Sequence, residues 1–323
     1  MMISNNDQFR TLVSVGSPLR PIGLEDRNLF LGSCFAEHVG QRFADARLLT
    51  LVNPLGVMYN PVSIARLLNT QESDPERDFV LYKGMWHSWL GDSTLSRLDA
   101  DECRQATNQA LARLHAELAQ ADNLFLTLGT SHYYVYKETY EVAANCHRLP
   151  AIEFEEYDLS VNEIVEALDE ALTPVHERNP QMQVIFTVSP YRYAKYGMHE
   201  SQLAKARLLL AVDKLQTLYP DWVSYFPAYE LLLDELRDYR FYGEDMLHPS
   251  AQAINFIWQR LSAEWMTDEV RTYLTRWDAL QRSLAHRPLH PESPEYEAFR
   301  EHTQEQLAQF ENDYPHLFKQ LSS

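Results

Sequence analysis

The chain has 323 residues, 45% hydrophobic and 12% aromatic, which suits a folded protein of one or two domains and excludes disorder. Its formal net charge of −18 excludes a nucleic-acid backbone or an anionic membrane as the main partner, because both select a basic surface. No window reaches the roughly 18 apolar residues of a membrane span, and the opening "MMISNNDQFRTLVSVGSPLRP" lacks the unbroken apolar core of a signal peptide.

In chain order, strand-like runs fall at 28–31, 48–52, 123–128, 183–188 and 222–226. Most are short and continuous, the pattern of parallel strands buried on both faces. The first ends in Gly32, and a helical pattern begins at about Ala36. The region 70–120 is long for one crossover and predicts an insertion. Ser160 and Glu163 fit a capping box, and Ile164, Val165, Leu168 and Leu172 trace one helical face. After the fourth strand, Leu203, Ala206, Leu210 and Val212 suggest another helix, and Ser250 caps one carrying Ile254, Ile257, Trp258 and Leu261. Two helical stretches then flank "AHRPLHPESP", the second starting at Ser293 and Pro294, with Tyr296, Phe299, Leu307 and Phe310 on one side. This alternation predicts a three-layer, doubly wound α/β fold, flavodoxin-like, with about five parallel strands. Residues 1–265 form its body and 266–323 a helical C-terminal extension. The extension is open to three roles: covering the site, forming a contact in a homo-oligomer, or extending the core.

Glycine is scarce, ten in the chain, so each one is informative. Gly32, Gly56 and Gly129 each follow an apolar run, and Gly243 precedes "EDMLHPS". In a parallel sheet, ligand sites lie beyond the carboxyl ends of the strands. Ser33 falls at that edge, where helix N–H groups favour developing negative charge. The G-x-S-x-G pattern is absent, so the local residues leave a tight turn and a nucleophile both open. Asp245 and His248 offer a base: the carboxylate can hold Nδ1–H and leave Nε2 free to take the Ser33 proton. Cys34 has the intrinsically stronger nucleophile, but adjacent residues leaving a strand point in different directions. With Ser33 facing the cleft, Cys34 is expected to face the core.

The literal "GDS" at 91–93 does not follow a sheet strand, so Ser93 reads as a loop residue. His87, His132 and His147 match no compact ligand spacing, and Cys34, Cys103 and Cys146 form neither a metal motif nor a disulfide framework. No metal or cofactor is expected, and a thiol-reducing, cytoplasmic location is. Tyr133, Tyr134, Tyr136, Tyr191, Tyr193 and Tyr242 fall near strand ends, where they stack on sugar rings or pack. Arg192 and Arg240 bind a substrate anion or pair with Asp238 or Glu235.

"FLGSCFAEHVG" resembles the name-giving motif of the GSCFA-domain proteins, a branch of the SGNH (GDSL-like) hydrolase superfamily. "NPLGVMYNPVSI", "LGTSHYY", "NCHRLP", "TVSPYRY" and "YFPAYELLLDELRDYRFYGEDMLHPS" resemble the same family in consistent order, over about residues 12–265. The resemblance implies an SGNH-like catalytic domain over 1–265, with nucleophile Ser33 and the pair Asp245–His248. It implies an oxyanion donor in the Gly56 N–H, beside the amide of Ser33. In the superfamily's G-x-N block, Gly129 matches but Ser131 stands where Asn is expected, and Asn145 is the first substitute candidate, with His147 and Ser131 behind it. The implied activity is a serine esterase or acyltransferase (EC 3.1.1 or 2.3.1) acting on a small acyl ester, acetyl first, of a carbohydrate. A non-catalytic glycan- or ligand-binding module derived from the hydrolase fold is the alternative.

Overall fold

The computed structural model describes residues 10–318, so the outer ends of the two predicted segments, and the start of the opening stretch, lie outside the described residues. The central sheet contains β1 (Asn28–Gly32), β2 (Thr50–Val52), β5 (Asn123–Leu128), β9 (Gln183–Val188) and β10 (Val223–Tyr225). All five are parallel, in the order β10-β9-β5-β1-β2. Each predicted run thus became a sheet strand. β1, β5 and β9 are buried along their whole length, which is why they read as continuous rather than alternating.

Helices cover both faces. On one side lie α2 (Pro61–Asn69), α3 (Ala100–Leu118), α4 (Val161–Arg178) and α5 (Met198–Leu218), packed on Leu29, Leu31, Leu124, Leu126 and Val184. On the other lie α1 (Cys34–Asp45), α7 (Ala251–Trp265) and α8 (Asp268–Leu284), packed on Phe30, Phe125 and Ile185. The short α6 (Ala228–Glu230) follows β10. Phe30 stacks on Phe125 at 4.3 Å between centroids, and Phe43 of α1 meets both edge-on. Such aromatic pairs contribute about 0.5–1.5 kcal/mol each beyond area burial. The three-layer α/β expectation therefore holds.

Two insertions complete the body. The hairpin β3 (Phe79–Tyr82) and β4 (Met85–Ser88), with α3, occupies the long crossover. A second, antiparallel sheet in the order β7-β6-β8 leaves the end of β5: β6 (His132–Tyr136), β7 (Glu141–Ala143) and β8 (Phe154–Asp158). This sheet is an addition to the five expected parallel strands. Arg66 of α2 anchors both insertions by pairing with Asp78 and Glu141.

The predicted caps form. Ser160 and Glu163 close a reciprocal capping box, and Ser250 and Ser293 each accept an amide of the helix they begin. After Met266, α8 joins the same core as α1 and α7, through Val270, Tyr273, Leu274 and Trp277. Tyr273 Oη donates to the Ala46 carbonyl at 2.7 Å and Trp277 Nε1 to the Asp45 carbonyl at 2.8 Å. Both carbonyls belong to the end of α1, where the helix leaves them unpaired. α9 (Pro294–Asp313) and α10 (Pro315–Phe318) follow, with Phe310 and Leu317 buried against this group. Among the described residues no helix is long and apolar enough to cross a membrane.

The chain runs from β1 outward to β2, then returns to β5 on the other side of β1. Strand direction of travel therefore reverses between β1 and β5, and their carboxyl ends open the crevice in which doubly wound sheets bind ligands.

Candidate active site

Backbone constraints come first at the β1–α1 turn. Gly32 has φ +131°, and a Cβ there would lie 2.2 Å from the Thr127 carbonyl oxygen, so glycine alone lets β1 and β5 close here. Its N–H donates to Asn53 Oδ1 at 2.9 Å, and its carbonyl accepts from the Met58 N–H at 2.9 Å. Ser33 is the N-cap of α1, with Oγ accepting from the Phe35 N–H at 3.3 Å. Its own N–H donates to the Thr127 carbonyl at 3.2 Å, and the residue is only 1% exposed. Cys34 is partly exposed. The expected orientation of these neighbours is thus reversed. A capping side chain folds back over the first turn to reach an amide, which turns Ser33 inward and leaves Cys34 outward.

Burial raises the pKa of the Cys34 thiol, and Glu37 adds to that, while Lys205 and the N–H groups of Phe35 and Cys34 oppose it. Lys205, on α5, is 2% exposed. Its Nζ donates to the carbonyls of Gly129 at 2.6 Å and Ser189 at 2.7 Å, bridging the ends of β5 and β9. Burial depresses it from the ordinary 10.5 to about 7, against a favourable interaction with Cys34. Tyr59 and Tyr191 also lie in the electrostatic reach of Cys34: burial, then Cys34, raises both phenols, Tyr59 to about 12.

The Asp245–His248 pair forms. His248 Nδ1–H donates to Asp245 Oδ2, while Oδ1 accepts from the N–H groups of Leu247 at 2.9 Å and His248 at 3.0 Å. These bonds, the imidazole's first, hold the Asp245 carboxyl down at about 2. The loop closes on itself through Gly243 N–H to the His248 carbonyl at 2.7 Å and Ser250 N–H to the Phe241 carbonyl at 2.8 Å. Met246, between Asp245 and His248, has φ +59°, a left-handed conformation costly for a side-chain-bearing residue. The loop docks on the segment after β9: Arg192 N–H donates to the Leu247 carbonyl at 3.0 Å, and Tyr191 lies 4.3 Å from the His248 ring. Tyr191 therefore borders His248 and lies within the electrostatic reach of Cys34.

The predicted oxyanion donors are engaged elsewhere. Gly56 N–H donates to the Asn53 carbonyl at 2.8 Å in a tight turn, and the Asp92 carboxylate lies over its Cα. This corrects the expectation of a free Gly56 amide, and the same holds for the Ser33 amide. Gly129 N–H donates to the Tyr59 carbonyl at 2.7 Å. Ser131 is fully buried, and its Oγ donates to Asp158 Oδ1 at 2.5 Å, so it fixes the second sheet. Asn145 Oδ1 accepts from the His147 N–H at 2.8 Å within its own loop. His147 stacks on His87 at 4.6 Å and lines, with His87, Ser93 and Ser96, a separate cavity of about 460 Å³. His132 stacks instead on Tyr196 at 4.3 Å. Of the predicted residues, Ser33 and Gly129 follow β1 and β5 at the carboxyl edge of the sheet, the Asp245–His248 loop docks on the segment after β9, and Ser131, Asn145 and His147 make other contacts.

Tyr59, Lys205 and Asn53 lie near the same strand ends without belonging to any of the sequence motifs. Asn53 is 9% exposed, and its Nδ2 has no hydrogen-bond partner. Lys205 carried a usable signal: Ser201, Ala204, Leu208, Ala211 and Leu215 are the buried face of α5, and Lys205 lies on it.

Residues 27–261 match the GSCFA family, and residues 277–322 match the GSCFA domain protein, C-terminal domain. The chain belongs to the GSCFA family. The Ser33–Cys34 turn and the Asp245–His248 loop both fall inside the GSCFA match. An acetyl xylan esterase, Est2A, from the rumen bacterium Butyrivibrio proteoclasticus aligns with this GSCFA protein at 13% identity and a TM-score of 0.35, over 81% of its chain. The alignment spans 63% of that esterase's length. No curated protein sequence matches the chain.

Proposed function

We propose that the protein is an acyl-ester hydrolase or acyltransferase of the SGNH (GDSL-like) type, working through an acyl-enzyme formed at the β1–α1 turn. The observation that carries this reading is the Asp245–His248 couple, held by three hydrogen bonds and touching Tyr191 at the strand edge. Asp245 fixes the tautomer with Nδ1 protonated, so Nε2 is the general base that takes the nucleophile's proton and returns it to the leaving alcohol. Read from the sequence, that nucleophile is Ser33. Water releasing the acyl group gives hydrolysis, and an acceptor hydroxyl gives transfer.

A small acyl group, acetyl first, on a carbohydrate is the proposed substrate. Support comes from the aromatic strip Tyr191, Tyr193 and Tyr196, with ring centroids 6.2 and 5.8 Å apart, beside His132. Such faces stack on sugar rings. The free thiols Cys34, Cys103 and Cys146 fit a cytoplasmic setting. We read the helices after Met266 as an extension of the catalytic domain, available for self-association.

The test is turnover of p-nitrophenyl acetate and of acetylated sugars. Wild-type protein is expected to release acetate, and His248→Ala to lose roughly a hundredfold or more in kcat/KM. Equal rates in the two proteins would sink the proposal. The second reading, a glycan-binding module without turnover, is favoured by the engaged amides of Ser33 and Gly56. It predicts saturable binding of acetylated sugar with no acetate released.

A further inference from the structure

We infer that Arg192 is a positioning residue for the proposed reaction: it holds the Asp245–His248 loop in its left-handed turn and docks it beyond the end of β9. The inference rests on the acyl-transfer reading above, in which His248 is the base, and adds the residue that fixes where that base stands. Core packing does not place the loop, because Asp245, Met246 and His248 are exposed and Leu247 is only half-buried. The loop's internal bonds join Asp245 to the imidazole and to two amides, and they set its shape rather than its position. Among the described residues, the hydrogen bonds that join Asp245–His248 to the chain outside Phe241–Ser250 both come from Arg192.

One bond is main chain: the Arg192 N–H donates to the Leu247 carbonyl at 3.0 Å. The other is side chain: Arg192 Nη1 donates to the Met246 carbonyl at 3.1 Å. Met246 is the left-handed residue, at φ +59°, and this bond fixes the direction of its carbonyl. It therefore holds the strained turn through which Asp245 reaches His248. The guanidinium is held in its own place by three other groups. Its carbon lies 5.8 Å from the Tyr239 ring centroid and 5.4 Å from that of Tyr242, on the segment leading into the loop. Nη2 donates to Met198 Sδ at 3.4 Å, at the start of α5. Asp238 and Glu235, the carboxylates expected for Arg192, pair with Arg240 and Arg260.

The segment that carries Arg192 is itself anchored. Tyr191 N–H donates to Ser189 Oγ at 3.3 Å, and Tyr193 N–H donates to Ser201 Oγ of α5 at 3.1 Å. These bonds, and the Tyr191 ring 4.3 Å from His248, do not depend on the Arg192 side chain. What that side chain adds is its grip on the Met246 carbonyl while stacked on two rings. A planar guanidinium does both at once, whereas a lysine ammonium keeps the charge without the fork. General-base transfer to Nε2 needs hydrogen-bond reach, and a displacement of about 1 Å costs up to about a hundredfold in rate.

The experiment uses the full chain, with Arg192→Ala and, in case that variant does not fold, Arg192→Lys. Turnover is measured on neutral p-nitrophenyl acetate and on the anionic mono-p-nitrophenyl succinate. Each variant is expected to lose about ten- to a hundredfold in kcat on both esters, with KM unchanged within about twofold. Amide hydrogen exchange, read by mass spectrometry, is expected to quicken at least about tenfold in peptides covering residues 243–249 and nowhere else. A wild-type kcat, or a rise in KM confined to the anionic ester, overturns the inference; the second result would make Arg192 a substrate-binding group. Exchange unchanged over the loop, or quickened across the whole chain, overturns it as well. A wild-type protein inert to every ester, with loop exchange quickened in the variants, would defeat the proposed function while leaving Arg192 as the anchor of the loop.

Discussion

Two histidines of this chain, His248 and His147, occupy opposite kinds of site. His248 stands on an exposed, self-closed loop, with Nδ1–H on a carboxylate. His147 is 5% exposed, its Nε2–H donates to the Ser88 carbonyl at 2.9 Å, and its Nδ1 faces Ser93 Oγ at 3.3 Å. Burial drives His147 down to about 4, with the neighbouring His87 pushing the same way. An imidazole so depressed is a poor proton acceptor, and both its nitrogens already have partners. What makes a histidine a base is therefore the chemistry of its second nitrogen's partner and an unoccupied first nitrogen. The serine of the literal "GDS", Ser93, faces this depressed imidazole and not the carboxylate-held one.

The largest effect that separates the two sites is on turnover. His248→Ala is expected to lower kcat/KM by roughly 10²–10⁴-fold with little change in unfolding free energy, since the ring is exposed. His147→Ala is expected to do the reverse: it removes the shorter of the two hydrogen bonds to the buried Ser88 carbonyl, leaving the Gly91 N–H at 3.4 Å, at a cost of about 0.5–1.5 kcal/mol in urea unfolding. Its acid limb changes too. From pH 6.5 down to 4 the unfolded chain protonates this histidine and the folded one does not, so wild type loses stability as pH falls across that window. The variant lacks that loss. A catalytic collapse in stably folded His147→Ala would erase the distinction.

Why one site was legible and the other was not follows from the kind of information each uses. β1, β5 and β9 are continuous apolar runs, and Ser160, Ser250 and Ser293 are caps with local partners, so short windows find them. The Asp245–His248 couple is also local, three residues apart in one turn. The second antiparallel sheet was missed because β8 is exposed over most of its length and β7 has three residues, so neither offers an apolar run. On α5 the face was assigned with the wrong phase: Leu203 and Leu210 are 37% and 55% exposed, while Ala204 and Leu208 are buried. That error hid Lys205. The Ser33–Cys34 orientation failed for a related reason, because strand alternation was applied where a helix cap already governs direction.

Lys205 extends the contrast to a third titratable group, buried at the ends of β5 and β9. Below pH 7 it is charged both folded and unfolded. Between about 7 and the ordinary 10.5, the unfolded chain carries one more proton, so unfolding free energy rises with pH, at up to about 1.4 kcal/mol per unit. Urea unfolding of wild type and Lys205→Met at pH 7 and 8.5 is expected to show that rise in wild type alone. Parallel pH dependence in both proteins would mean that Lys205 is not depressed.

The smallest expected effect concerns Glu37, exposed in the first turn of α1. Its carboxylate raises the Cys34 thiol after burial does, against the pull of Lys205 and two backbone amides. Removing that charge in Glu37→Gln is expected to lower the thiol pKa, so the pH midpoint for iodoacetamide alkylation of Cys34 moves downward. The shift should shrink as salt is raised, since an exposed carboxylate is screened. Helix stability should fall only slightly, because a first-turn acid contributes about 0.3–1 kcal/mol through the helix dipole. An upward or absent shift would mean that Glu37 does not act on Cys34, and that the thiol's acidity is set by burial, Lys205 and the helix amides without it.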